Sequence, residues 1–287
     1  MFVVPFCQTT DPNLCYMHSE AYSPSDLAKS QRLTFDYVSL AKVVKHAIRN
    51  LNRVIDVNMY PVESARKSNF KHRPIGLGVQ GLSDVFTNLG FPFESAEADR
   101  INREIFEVIY YAALEASCEL AEKFGPYETF KTSYVGAPDQ NGSPVSRGIL
   151  QHDMWTPNGK AGDGKIYELV QGLDWSGLRA KIATVGVRNS LLIALMPTAS
   201  TADILNNTPG CDPLLTFAYK RKNKAGEFNV VNAKLIEVLS AHGLWTKEMC
   251  DAIVAQQGTT LICLLVCWVV GLKSFANRID SKHPWHS

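Results

Sequence analysis

The stretch Arg188–Leu205, RNSLLIALMPTASTADIL, sets three hydroxyl side chains in four residues: Thr198, Ser200 and Thr201, around Ala199. Before them, Ser190 to Met196 is a short apolar run that fits a buried strand, and Pro197 ends it because proline cannot donate to a sheet ladder. After them, Ala202, Ile204 and Leu205 resume an apolar spacing suited to a short helix. A strand, a turn of small hydroxylated residues and a helix start together make an anion site. The first N–H groups of a helix lack partners within it, and small side chains let a phosphate approach the backbone. On pattern alone the commoner reading is that Thr198 or Ser200 caps the helix and binds nothing.

Other residues capable of chemistry are sparser. Seven cysteines (Cys7, Cys15, Cys118, Cys211, Cys250, Cys263, Cys267) are scattered and odd in number, which points to a reducing compartment. No CxxC pair occurs, and no Cys/His cluster has zinc spacing. Gly76, Gly78 and Gly81 in GLGVQG match a dinucleotide-binding spacing, but Ser68 to Pro74 ahead of them is polar and basic. That fingerprint needs an apolar strand there, so close backbone packing is the better account of these glycines.

The elements that must carry these residues follow from periodicity. Val38, Ala41, Val44, Ile48 and Leu51 predict an amphipathic helix over about 37–56. Arg66, Lys67, Lys71, His72 and Arg73, ahead of Pro74, read as a solvated loop. Ser95 caps a longer helix with a stripe of Ile101, Ile105, Val108, Ile109, Ala112, Ala116 and Leu120, which Gly125 and Pro126 stop. Tyr110 and Tyr111 lie near that stripe and read as core packing. Segments 131–142 and 157–164 are exposed loops. Ser176 opens a short helix to about Thr184, while Asn232 and Thr246 cap helices over 233–242 and 247–257. Alternating helices and short apolar runs favour an α/β architecture in one domain.

Composition bounds the partners. The chain is 46% hydrophobic and 20% charged with a formal net charge of +1, so no electrostatic case exists for nucleic acid or a membrane surface. The amino-terminal MFVVPFCQTTDP lacks the basic start and apolar length of a signal peptide. The apolar run Leu261 to Leu272 is shorter than the roughly twenty residues that span a bilayer.

RNSLLIALMPTASTADIL closely resembles a segment of the large chain of class I ribonucleotide reductase. So do AKVVKHAIRNLNRVIDVNMYPV (41–62), HRPIGLGVQGLSDVF (72–86), EIFEVIYYAALEASCELAEKFGPYET (104–129), GSPVSRGILQHDMW (142–155) and KAGEFNVVN (224–232). The blocks cover roughly 34–258, leaving a divergent segment at 1–33 and an unrelated tail at 259–287. The resemblance implies an incomplete portion of the family's ten-stranded α/β barrel, with Thr198, Ala199, Ser200 and Thr201 holding the diphosphate of a ribonucleoside diphosphate. It also implies reduction to the deoxy form by thiyl-radical chemistry in the cytoplasm, as a large-chain homodimer. No cofactor is expected in this chain: the radical comes from a metal-containing small subunit, and reducing power from a dithiol.

Catalysis in that family uses an Asn-Leu-Cys-x-Glu loop, a redox cysteine pair and two late adjacent tyrosines. Asn13, Leu14 and Cys15 repeat its first three residues, making Asn13 and Cys15 the candidates, but Met17 stands where the glutamate belongs. Met1 to Val3 looks like the segment following the second redox cysteine, which would put both catalytic cysteines upstream. The late tyrosine pair, the terminal cysteine pair and the nucleotide-sensing region have no counterpart. The chain therefore looks like a gene fragment or mis-spliced product, inactive alone. The alternative is a catalytically dead binding chain that keeps the diphosphate turn or docks on intact subunits. In either case residues 1–30 and 259–287 are expected to pack poorly against the rest.

Overall fold

The computed structural model describes residues 2–5, 17–18, 34–131, 142–154, 170–205, 207–213, 216, 218–223, 226–232, 235–236, 239–240 and 243–255. They fall into two compact units, with residues up to Asp212 in the first (except 21–31) and those from Pro213 in the second.

Two helices hold most of the first unit's core. Helix α1 (Tyr37–Val57) starts where the Asp36 side chain accepts from Ser39 N at 3.0 Å. It buries Leu40, Val44, Ala47, Ile48, Leu51 and Ile55, a stripe repeating at three and four. The long helix that packs against it, spanning Ala96–Phe124, is capped by Ser95, whose Oγ accepts from Ala98 N at 3.2 Å. It buries the predicted stripe and ends at Gly125, φ 78°, where only glycine is at ease. Lys45–Glu115 at 2.6 Å and Arg49–Glu119 at 2.7 Å tie the exposed rims of the pair. Removing a fully buried side chain such as Ile48 from this seam would cost about 2–5 kcal/mol.

Between these helices in sequence come α2 (Glu63–His72), a strand at Leu77–Gln80, and α3 (Leu82–Leu89). Helix α2 replaces the solvated loop expected there. Its surface is indeed solvated, with none of its side chains buried, and the helix is anchored from beyond its end. Arg73, the single non-glycine residue with positive φ among those described, turns the chain out of α2. Its side chain is only 2% exposed. It forks onto Asp56 (2.8 Å from each Nη to a carboxylate oxygen) and donates from Nε to Asn52 Oδ1 at 3.0 Å. One of the five basic residues is therefore interior, because α1 supplies its counter-charge.

The strand Leu77–Gln80 pairs in parallel with β1 (Phe2–Pro5). Numbering in chain order, β2 is Met17–His18 and β3 Thr34–Phe35, an antiparallel pair, and Leu77–Gln80 is β4. Thus 2–5, placed in the divergent segment and expected to pack poorly, is joined to the sheet. On its other edge β4 meets 191–194: Leu77 N donates to Leu192 O at 2.9 Å and Ala194 N to Leu77 O at 3.0 Å. A Cβ on Gly78 would lie 2.9 Å from Ala194 O, so the two backbones approach as only glycine allows. This is the packing role expected of GLGVQG.

The long helix is α4; α5 (Trp175–Val185) and α6 (Ala199–Leu205) complete the first unit, with short 3₁₀ turns at Val145–Arg147 and Gln151–Met154. Asp174, not Ser176, caps α5, its Oδ1 accepting from Gly177 N at 2.8 Å. The expected strand 190–196 is reduced to one isolated parallel bridge, Leu77 to Ile193. Its apolar faces are not both covered either, for Leu191 is 64% and Leu195 57% exposed. Among the described residues nothing pairs with its second edge, so the ladder that would regularise it is half made.

In the second unit, β5 (Ala218–Asn223) and β6 (Gly226–Val231) form an antiparallel hairpin. Asn232 Oδ1 accepts from Leu235 N at 2.9 Å and Thr246 Oγ1 from Met249 N at 3.2 Å, the two caps expected. Helix α7 spans Lys247–Ala255, and Ala218, Leu235, Leu239 and Ile253 form the small core. The described strands make three two-stranded sheets. The expected loop 157–164, most of loop 131–142 and the tail 259–287 lie outside the described residues.

Candidate functional site

Strand β4 and the segment 191–194 run parallel, so their carboxyl ends, Gln80 and Pro197–Thr198, open at the same edge. In parallel α/β architectures that edge is where ligands bind. Four predicted residues lie there. Thr198 is 3% exposed, and its Oγ1 accepts from Gly210 N at 2.8 Å. Its carbonyl takes Ala202 N at 2.8 Å, the first bond of α6. Thr198 is therefore the inner strut of the turn. Ala199, Ser200 and Thr201 are exposed and start α6.

The turn's outer residues, 199–201, face solvent. The nearby cavity of about 430 Å³ is lined by Phe106, Tyr110, His152 and Ile193–Leu195 and stops short of it.

Behind the turn is a polar network that pattern reading missed. Thr201 Oγ1 donates to Gln80 Oε1 at 2.8 Å, and Gln80 Nε2 donates to Asn207 Oδ1 at 3.0 Å. Gln80 itself is 1% exposed. Gly81 N donates to Thr208 O at 2.8 Å, and Thr208 N to Asp84 Oδ2 at 2.6 Å. Burial raises the Asp84 carboxyl above its ordinary range, with the Thr208 bond opposing. So the loop 207–210, the end of β4 and the turn are one hydrogen-bonded unit. The available signal was a glutamine inside an otherwise apolar strand, in GLGVQG.

The other chemistry-bearing candidates are elsewhere. Asn13 and Cys15 lie outside the described residues. Cys118 is buried on α4, its thiol pushed up to about 12 by burial, so it is an inert core residue. Cys211 is half-buried and its thiol is raised, again by burial. Tyr110 and Tyr111 pack edge-on or tilted against Trp175, with Tyr110 also against His152. Both are partly buried and pack against the core, as expected. Among the described residues no group of three His, Cys, Asp or Glu could hold a metal ion, and no helix is long and apolar enough to cross a membrane.

Comparison with known proteins decides the family. Residues 6–275 match the family described as ribonucleotide reductase, barrel domain. The chain belongs to that family. The match runs past both ends of the 34–258 portion on which the resemblance was read. Among curated relatives, the ribonucleoside-diphosphate reductase large subunit of Danio rerio is 46% identical over 90% of this chain. That of Caenorhabditis elegans is 52% identical over 78%, and the large chain of Cryptosporidium parvum 44% over 90%. The chain spans 26–30% of the length of these relatives. By family the chain is part of a ribonucleotide reductase barrel domain.

Proposed function

We propose that this chain carries the diphosphate-holding part of a ribonucleoside-diphosphate reductase large chain, a portion of its ten-stranded α/β barrel. The observation carrying the proposal is the exposed turn 199–201 at the shared carboxyl edge of β4 and 190–196, in a chain of this family. Ser200 and Thr201 hydroxyls and the backbone amides of 199–201 would donate to the phosphate oxygens, with Thr198 shaping the turn from within. Charge-assisted bonds of this kind are the stronger class. Helix α6 has seven residues and lends little dipole, so the individual bonds carry the attraction.

The rest of the reaction belongs to the intact enzyme: a cytoplasmic large-chain homodimer, a radical from a metal-containing small subunit and a dithiol reductant. This chain alone holds substrate without turning it over. Met17 in the place of the loop glutamate favours one further reading, a binding chain that docks on intact large chains without chemistry. Calorimetric titration with cytidine 5′-diphosphate tests the site, and capture of full-length large chain by this one tests the second reading.

A further inference from the structure

We propose that Gln80 is a positioning residue whose side-chain amide reverses when the turn takes up a phosphate, releasing the Thr201 hydroxyl to donate outward. The inference rests on the diphosphate reading above. In the ligand-free arrangement the single Thr201 hydroxyl proton is committed inward, to Gln80 Oε1 at 2.8 Å, with Thr198 O at 3.1 Å as a second acceptor. A hydroxyl so committed has lone pairs to offer, and an anion needs a donor. Left in that state, Thr201 repels the ligand its position invites.

The chain of amides behind it has a second arrangement with the same heavy-atom positions. Asn207 Nδ2 is enclosed and has no hydrogen-bond partner, while its Oδ1 accepts from Gln80 Nε2 at 3.0 Å. Turning both amides over places Gln80 Nε2 against Thr201 Oγ1 and Asn207 Nδ2 against Gln80 Oε1. The orphaned N–H group is thereby satisfied and a carbonyl oxygen is left enclosed in its place, so each arrangement leaves one group unpaired and the phosphate's acceptor selects between them. Thr201 Oγ1 then accepts from Gln80, and its proton competes only between Thr198 O and a charged phosphate oxygen, the stronger acceptor. Chains of this sort polarise one another, so accepting from Gln80 also strengthens the outward bond. Both amides can donate and accept, which is what reversal requires; a methionine or carboxylate at 80 cannot do it.

The test uses the full 287-residue chain and a double-mutant cycle of Gln80→Met and Thr201→Val, titrated with cytidine 5′-diphosphate and with inorganic pyrophosphate. Each single variant is expected to weaken both probes about tenfold, the loss of one charge-assisted donor. Because Gln80 acts through Thr201, the double variant is expected to be no weaker than the worse single one. Thr201→Ser, which keeps the hydroxyl, is expected to restore binding, and melting temperatures report folding separately. Additive losses, or a Gln80→Met variant that binds pyrophosphate as the parent does, overturn the role of Gln80 while leaving the diphosphate reading in place. No binding by the parent chain overturns both.

Discussion

Gln80 and Thr201, 121 residues apart in sequence, meet side chain to side chain at 2.8 Å. The bond ties the last residue of β4 to the turn that follows its neighbouring strand segment. Any shift between the two parallel segments is therefore felt at Thr201, and the contacts that set their register become testable controls on the turn.

Gly78→Ala should disturb that register. The new methyl would sit 2.9 Å from Ala194 O, a backbone atom that cannot move aside alone. The expected loss is about 1–3 kcal/mol of stability, by analogy with overpacked cores. Urea denaturation measures it. A variant as stable as the parent would show that the strands part without cost.

Arg73→Ala should cost about 1–3 kcal/mol, because it takes donors from the buried Asn52 oxygens, while Asp56, 46% exposed, is rehydrated. Asn52 Oδ1 would keep only Asn189 Nδ2 at 3.2 Å, and Asp56 would lose both forks. Arg73→Lys should recover part of the loss and not all, since an ammonium cannot reproduce the bidentate geometry. Equal stability of the lysine variant and the parent, in the same urea series, would count against the fork.

How legible was this in the sequence? Helices α1 and α4 were readable because burial of one stripe imposes a local 3.6-residue period, and their Ser95 and Gly125 boundaries are local chemistry. Helix α2 was not, since it buries no side chain and so leaves no stripe; a single arginine beyond its end anchors it. The strand 190–196 read as buried because its residues are apolar, yet apolarity records what a residue prefers and not whether a neighbouring strand is there to cover it. The turn was legible as small hydroxylated residues after a proline. Its supporting network was not, because Gln80, Asn207 and Asp84 are brought together by strand pairing across more than a hundred residues.

His152 should make stability depend on pH. Burial lowers its imidazole to about 4, with Asp153 opposing and Arg179 reinforcing. The unfolded chain, with an ordinary value near 6.5, binds the proton first as pH falls. Stability is therefore complete above about pH 6.5 and declines as pH drops toward 4. A His152→Phe variant should flatten the curve within that window, measured by denaturant midpoint at a series of pH values. The same slope in both proteins would remove His152 as its source.

Turnover should be absent. With a small-subunit radical source and dithiothreitol, this chain is expected to form no deoxynucleotide from cytidine 5′-diphosphate, the product being read by chromatography. Product formation would contradict the account and make Cys15, followed at two residues by Met17, the first residue to replace.

Ser200→Asp is the direct test of the diphosphate turn. Ser200 is exposed in the first turn of α6, where an acidic side chain is tolerated by a helix, so the fold should survive. The carboxylate would occupy the space proposed for a phosphate oxygen and repel it. Calorimetric titration of parent and variant with cytidine 5′-diphosphate should show binding by the parent and a loss of at least about tenfold in the variant, at unchanged melting temperature. Equal affinity in the two proteins, or a parent chain that binds no diphosphate, would contradict the assignment of this turn.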